Sequence, residues 1–156
     1  MDGDRNAQSQ SNLAAAFQAI LNTRSIETLF QPIFDVRKET IIGFEALSRG
    51  PKGSELEMPD RLFYLAHQEY KLSELELLCR ERAIERFVSQ QLPGKLFLNV
   101  SPNTLLDPSH PHGETRHLIA KYGLAASRVV IEVTEQDKVD DGFLLIKTIE
   151  HYGFFK

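Results

Sequence analysis

Three polar residues interrupt apolar runs in this chain. Glu45 follows Ile42-Gly43-Phe44, Asn99 sits near the end of Leu96-Phe97-Leu98, and Glu132 follows Val129-Val130-Ile131. An unpaired carboxylate among apolar groups is expensive, so a buried one must be paired, protonated or metal-bound. Two carboxylates and an amide carbonyl form a set of hard oxygen donors, suited to Mg2+, Mn2+ or Ca2+ rather than Zn2+. The plainer role for each is a solvated residue at a strand end or the partner of an arginine. Arg49 follows Glu45 by four residues, and alternate residues of a strand share a face, so 45, 47 and 49 point the same way. A carboxylate and a guanidinium so placed could hold a metal ion beside a phosphate, which arginine binds bidentately. The same spacing equally permits a direct Glu45–Arg49 ion pair.

Other chemistries leave little trace. The five histidines, at 67, 110, 112, 117 and 151, show no metal-ligand spacing on a predicted helix, and His110 and His112 flank Pro111 in a loop. Cys79 lies on the apolar side of a predicted helix and reads as a buried structural thiol. Glycine-rich phosphate loops, CxxC pairs and nucleophile elbows are absent from the sequence.

The elements that must position these groups follow from periodicity. Residues 1–10 are polar and are expected to fray, with Ser11 or Asn12 capping a helix over 13–22 whose Leu13, Phe17, Ile20 and Leu21 share a face. Two apolar runs, 28–36 and 41–47, flank the polar turn Arg37-Lys38-Glu39-Thr40 and predict a β-hairpin. Helices are expected over 60–69 and from Ser73 to about Gln90, the second opened by a Ser73/Glu76 capping box and carrying Leu75, Leu78, Cys79, Arg82 and Phe87 on its apolar side. Strands at 95–100 and 128–133 then alternate with helices at 114–122 and 140–152. Strand–helix alternation indicates βα units on a parallel sheet, and near-continuous apolar strands suit a sheet covered on both faces. Glu45, Asn99 and Glu132 all fall toward the C-terminal ends of their strands, where α/β barrels and open α/β sheets place their sites.

Composition bounds the possibilities. The chain has 156 residues, of which 42% are hydrophobic and nine are glycine, the makeup of one ordinary folded domain. A complete (β/α)8 barrel takes about 250 residues. The net charge of −4 offers no bulk attraction to DNA or to an anionic membrane. A single cysteine excludes an intrachain disulfide and fits a cytoplasmic location. The sequence has neither an apolar run long enough to span a membrane nor, at its polar N-terminus, the apolar core of a secretory signal.

Three segments resemble the EAL domain, the cyclic di-GMP phosphodiesterase domain of bacterial signalling. Gln31-Pro32-Ile33 followed by Gly43-Phe44-Glu45-Ala46-Leu47-Ser48-Arg49 is similar to its opening. Leu98-Asn99-Val100-Ser101-Pro102 and Ile131-Glu132-Val133-Thr134-Glu135 are similar to its next two motifs, in the same order. The resemblance runs from about Glu27 to the last residue, so residues 1–24 are expected to be a polar tail and helix and 25–156 the N-terminal part of the domain.

The resemblance implies a TIM-like (β/α) barrel with an initial antiparallel hairpin, ending about half-way. It implies that Glu45, Asn99 and Glu132 are metal ligands, that Glu135 supports an active-site loop, and that Gln31, Leu47 and Arg49 contact the dinucleotide. The implied reaction is hydrolysis of cyclic di-GMP to linear pGpG at a site holding two Mg2+ or Mn2+ ions. The family's Asp-Asp metal pair, a lysine near the attacking water, a further Glu ligand and a C-terminal glutamine have no counterpart in these residues. Asp140-Asp141 is not that pair, because it precedes a predicted helix and follows Glu135 too soon. The expectation is therefore a truncated, inactive fragment of a phosphodiesterase, or alternatively a degenerate domain acting as a cyclic di-GMP receptor or protein-interaction module. The run Glu45-Ala46-Leu47-Ser48-Arg49-Gly50-Pro51, the long helix from Ser73 to about Gln90 with its Glu74-Leu75-Glu76, and the N-terminal position of the domain are similar to a subgroup in which sensor or GGDEF modules follow the EAL domain. An unpaired edge on the strand at 128–133 predicts self-association into a dimer or larger species.

Overall fold

The computed structural model describes residues 2–107 and 113–133. Its elements run α1 (Asp2–Thr23), β1 (Glu27–Asp35), β2 (Thr40–Arg49), α2 (Pro59–Gln68), α3 (Leu72–Ser89), β3 (Lys95–Val100), α4 (Pro102–Leu106), α5 (Glu114–Lys121) and β4 (Val129–Val133), with a 3-10 turn at Ala126–Arg128. The helix expected at 140–152, together with His110, His112, Glu135 and Asp140-Asp141, lies outside the described residues.

The four strands form one sheet in the order β1-β2-β3-β4. β1 and β2 are antiparallel, as the hairpin reading requires, with a register shift between Ile33 and Phe34. Their turn is closed by Asp35, whose Oδ1 accepts from the Arg37 and Lys38 amides at 2.9 and 3.2 Å. β2 pairs with β3 and β3 with β4 in parallel.

One sheet face carries the main core. Ala46, Leu96, Leu98 and Val129 point toward Ala83, Ile84 and Phe87 of α3 and Leu118 and Ile119 of α5. A second cluster joins α1, α2 and the start of α3 through Phe17, Ile20, Leu62, Ala66 and Leu75. Among the described residues the helices thus cover one face of the sheet. On the other face Glu45, Leu47, Arg49, Phe97, Asn99 and Glu132 are partly exposed.

Local expectations fail in three instructive places. Residues 2–10 are helical, so Ser11 and Asn12 are interior positions and not caps. Once Phe17, Ile20 and Leu21 pin the C-terminal half, each added turn upstream costs little, because propagation is far cheaper than nucleation. The Ser73/Glu76 capping box does not form: Lys71 is the N-cap of α3 and makes no side-chain cap bond. The buried arginine of α3 is Arg80, while Arg82 is partly exposed and bonds Glu85. The short helix α4 had a readable signal, since Ser101 is its N-cap and Pro102 its first residue.

Candidate functional site

Strand register gathers the polar residues. Asn99 lies directly opposite Glu132 across β3 and β4, and Gln31 opposite Glu45 across β1 and β2. Glu45 pairs with Phe97, two residues before Asn99, and directly paired residues share a face. Gln31, Glu45, Leu47, Arg49, Asn99 and Glu132 therefore all lie on the sheet face opposite the α3–α5 core.

Two glycines allow the close approach of β2 and β3 just before Glu45. A Cβ at Gly43 would sit 2.2 Å from the Lys95 carbonyl oxygen, and one at Gly94, whose φ is +75°, would sit 2.5 Å from that of Ile42. With the backbones this near, Asn99 Nδ2 donates to Glu45 Oε1 at 2.8 Å. Glu132 stands in the field of that same carboxylate. Partial burial raises its pKa above the ordinary 4.5, and the Glu45 charge raises it further.

The arrangement has the properties a divalent cation needs. Two carboxylates repel each other across a partly dehydrated gap, and the carboxamide beside them can turn its oxygen toward the same point by a half-rotation. Among the described residues, no group of three or more His, Cys, Asp or Glu side chains comes together, and this site brings two carboxylates and one carboxamide. A cation between Glu45 and Glu132 would cancel the repulsion that now raises the Glu132 pKa. The donor chemistry of Glu45, Asn99 and Glu132, two carboxylates and a carboxamide, is of the kind that suits a hard divalent ion.

Arg49 does not neutralise Glu45. Its Nη1 donates to the Ser48 carbonyl at 2.8 Å, and its side chain lines a cleft of about 750 Å3 at the C-terminal ends of β2 and β3. Glu45, Leu47 and Asn99 line the same cleft, and Tyr64 and His67 of α2 form part of its wall. Glu132 and Gln31 join this group through strand register, outside the cleft lining. Cys79 is buried as expected, with its thiol pushed up to about 12 by burial.

Sequence reasoning missed two buried charges in the lining of the cleft. Glu76 and Arg80, one turn apart on α3, are 5% and 2% exposed. The Glu76 carboxylate accepts from the Ser101 amide at 3.3 and 3.4 Å, and Arg80 Nη1 donates to Thr115 Oγ1 at 2.6 Å. Burial raises the Glu76 pKa, while bonds from Ser101 and Thr104 and the Arg80 charge oppose that rise. The available signal was the i, i+4 spacing of two opposite charges along an otherwise apolar helix side.

A family model described as the EAL domain matches residues 10–153. A curated relative, the uncharacterized EAL-domain containing protein YkuI of Bacillus subtilis (strain 168), is 27% identical over 139 residues. That match covers 85% of this chain and 33% of the relative. The Xanthomonas citri FimX EAL domain in complex with c-diGMP superposes with a TM-score of 0.76 at 16% identity, over 97% of this chain and 58% of that one. A standalone versatile EAL protein from Vibrio cholerae O395 in its c-di-GMP bound form gives 0.68 at 26% identity, over 83% of this chain and 53% of that one. The described sheet and helices thus match part of a TIM-barrel-like architecture, and the chain spans about a third of the curated relative's length.

Proposed function

The chain belongs to the EAL domain family, and from that premise we propose that the protein carrying it is a metal-dependent phosphodiesterase that opens cyclic di-GMP to linear pGpG. The observation that carries this reading is the meeting of Glu45, Asn99 and Glu132 on one sheet face, with Glu132 already raised by the Glu45 charge. The c-di-GMP in the FimX and Vibrio cholerae neighbours supports the choice of substrate.

In this proposal Glu45, Asn99 and Glu132 hold Mg2+ or Mn2+. When bound, the ions supply an activated water and stabilise the leaving oxygen. Arg49 faces the cleft and pairs with a phosphate, Leu47 packs against the dinucleotide, and Gln31, opposite Glu45, orients it. Glu135 supports a loop beside the site. These three ligands are fewer than a two-metal site uses. Residues 1–156 alone are therefore proposed to bind a cation without efficient turnover, since residues that act as a unit lose most rate enhancement when part of the set is missing. Sensor or GGDEF modules and self-association in the cytoplasm belong to the same reading.

The test is incubation with cyclic di-GMP and Mn2+, with chromatographic detection of pGpG. A longer protein carrying this chain should produce pGpG, and its Glu45→Gln variant should not. Robust turnover by residues 1–156 alone would contradict the proposed inactivity. A second reading, a cyclic di-GMP receptor, is favoured by Arg49 in the cleft, a residue that serves binding even without hydrolysis. Saturable heat of binding with no pGpG from the longer protein would establish it over the phosphodiesterase.

A further inference from the structure

The polar cluster of Glu76, Arg80 and Ser101 in the cleft lining ties several elements together. Ser101 is the first residue after β3, beyond the ladder with β4, which ends at Val100 and Val133. Its amide donates in a bifurcated bond to both oxygens of Glu76, at 3.3 and 3.4 Å. Its hydroxyl accepts from the Thr104 amide at 3.2 Å and so caps α4. One turn along α3, Arg80 Nε donates to the Glu76 carbonyl at 3.4 Å and Nη1 to Thr115 on α5 at 2.6 Å. The end of β3 is thereby tied to α3, and α3 to α5, through groups almost wholly removed from water.

We propose that Glu76 is a positioning residue: by holding the Ser101 amide it fixes the exit of β3 and so aims Asn99, two residues earlier, at Glu45. The proposal deepens the metal-site reading and rests on it for its functional meaning, but its physical content concerns the side chain of Asn99 alone. Removing one member of a buried polar set leaves its partners uncompensated, so Glu76→Leu destabilises the fold whether Glu76 positions Asn99 or simply fills the site. Stability therefore cannot separate a positioning role from simple filling. The orientation of Asn99 can.

The experiment uses the full 156-residue chain, 15N-labelled, without metal or nucleotide. The Asn99 side-chain NH2 signals are assigned by their loss in Asn99→Ala. In the parent chain one of these protons is protected by the bond to Glu45. Glu76→Leu removes the acceptor of the Ser101 amide, and the Asn99 side-chain amide should then exchange with solvent roughly tenfold faster, the scale expected on loss of a hydrogen bond to a charged acceptor. Glu76→Gln keeps an acceptor oxygen and should retain the parent signal. Ser101→Pro reads the same link from its other end and serves if Glu76→Leu fails to fold. Proline removes the amide hydrogen, and the Ser101 φ of −77° already suits it. Ser101→Ala, which keeps the amide, is its control and should leave Asn99 unchanged. Unchanged Asn99 exchange in folded Glu76→Leu or Ser101→Pro would overturn the proposal. A failure of the metal-site reading would instead appear as an absence of Mn2+ binding and would leave these spectra as they are.

Discussion

The two faces of β3 solve opposite problems within six residues. Leu96, Leu98 and Val100 are buried, the first two in the core beneath α3 and α5, whereas Phe97 and Asn99 look toward a partly open surface. The same division runs through β2, where Ala46 is buried against the core and Glu45 bonds Asn99, and through β4, where Val129 is buried and Glu132 is not. The apolar face fixes the backbone, and the polar face uses that rigidity to hold like charges near one another. A site built on strands inherits its precision from a core that touches none of its functional atoms.

If the division is real, mutations on the two faces should have different currencies. Leu98→Ala should cost the most stability, about 2–5 kcal/mol, because Leu98 is fully enclosed and its loss leaves a cavity. Urea melts would measure this. Gly43→Ala should come next, at about 1–3 kcal/mol, since its Cβ must push β2 away from the Lys95 carbonyl. It should also lengthen the Asn99–Glu45 bond, making it the substitution that harms both faces.

Glu81 and Glu132 respond to pH in opposite directions. Glu81 lies away from the site, between Arg24, Lys121 and Tyr122. Desolvation works to raise its pKa, but hydrogen bonds from Lys121, Arg24 and Tyr122 together outweigh it and hold the value at about 2. A depressed carboxylate contributes stability above its unfolded pKa and loses it as pH falls through the folded one. Between about pH 4.5 and 2, part of the fold's stability should therefore disappear. Glu81→Gln should abolish that part at a cost near neutrality of about 1 kcal/mol or less, the scale of partly exposed ion pairs. Acid titrations followed by circular dichroism would show it.

Glu132 runs the other way. Its pKa is raised, so its ionisation opposes folding, and its contribution is most favourable below the ordinary carboxylate value of 4.5 and falls as pH rises through the folded one. Glu132→Gln should therefore leave stability near neutrality unchanged or slightly higher. That is the smallest stability effect of the four, at one of the positions proposed to hold the cation.

Much of this was legible in the sequence. The hairpin, the strand Lys95–Val100 and the face shared by positions 45, 47 and 49 follow from period-two alternation and turn residues, which local chemistry determines. Glu45, Asn99 and Glu132 stood out because each breaks an apolar run. What local pattern could not reveal depended on contacts distant in sequence. Glu76 matched a cap at the start of α3, yet the amide of Ser101, 25 residues on, offers it a buried partner instead. Residues 2–10 carry no apolar stripe, and their helix is extended from a half anchored on α2 and α3. The Glu45–Arg49 spacing fitted an ion pair equally well, and only the observed bond to the Ser48 carbonyl separates the two.

A Mn2+ titration of the 15N-labelled chain decides whether Glu45, Asn99 and Glu132 jointly hold a divalent cation, as proposed. Saturable paramagnetic broadening should begin at residues 45, 99 and 132, be relieved by excess Mg2+, and be lost in Glu132→Gln while the fold is retained. Broadening that is absent, scattered over the surface carboxylates, or unchanged in Glu132→Gln would contradict the proposal.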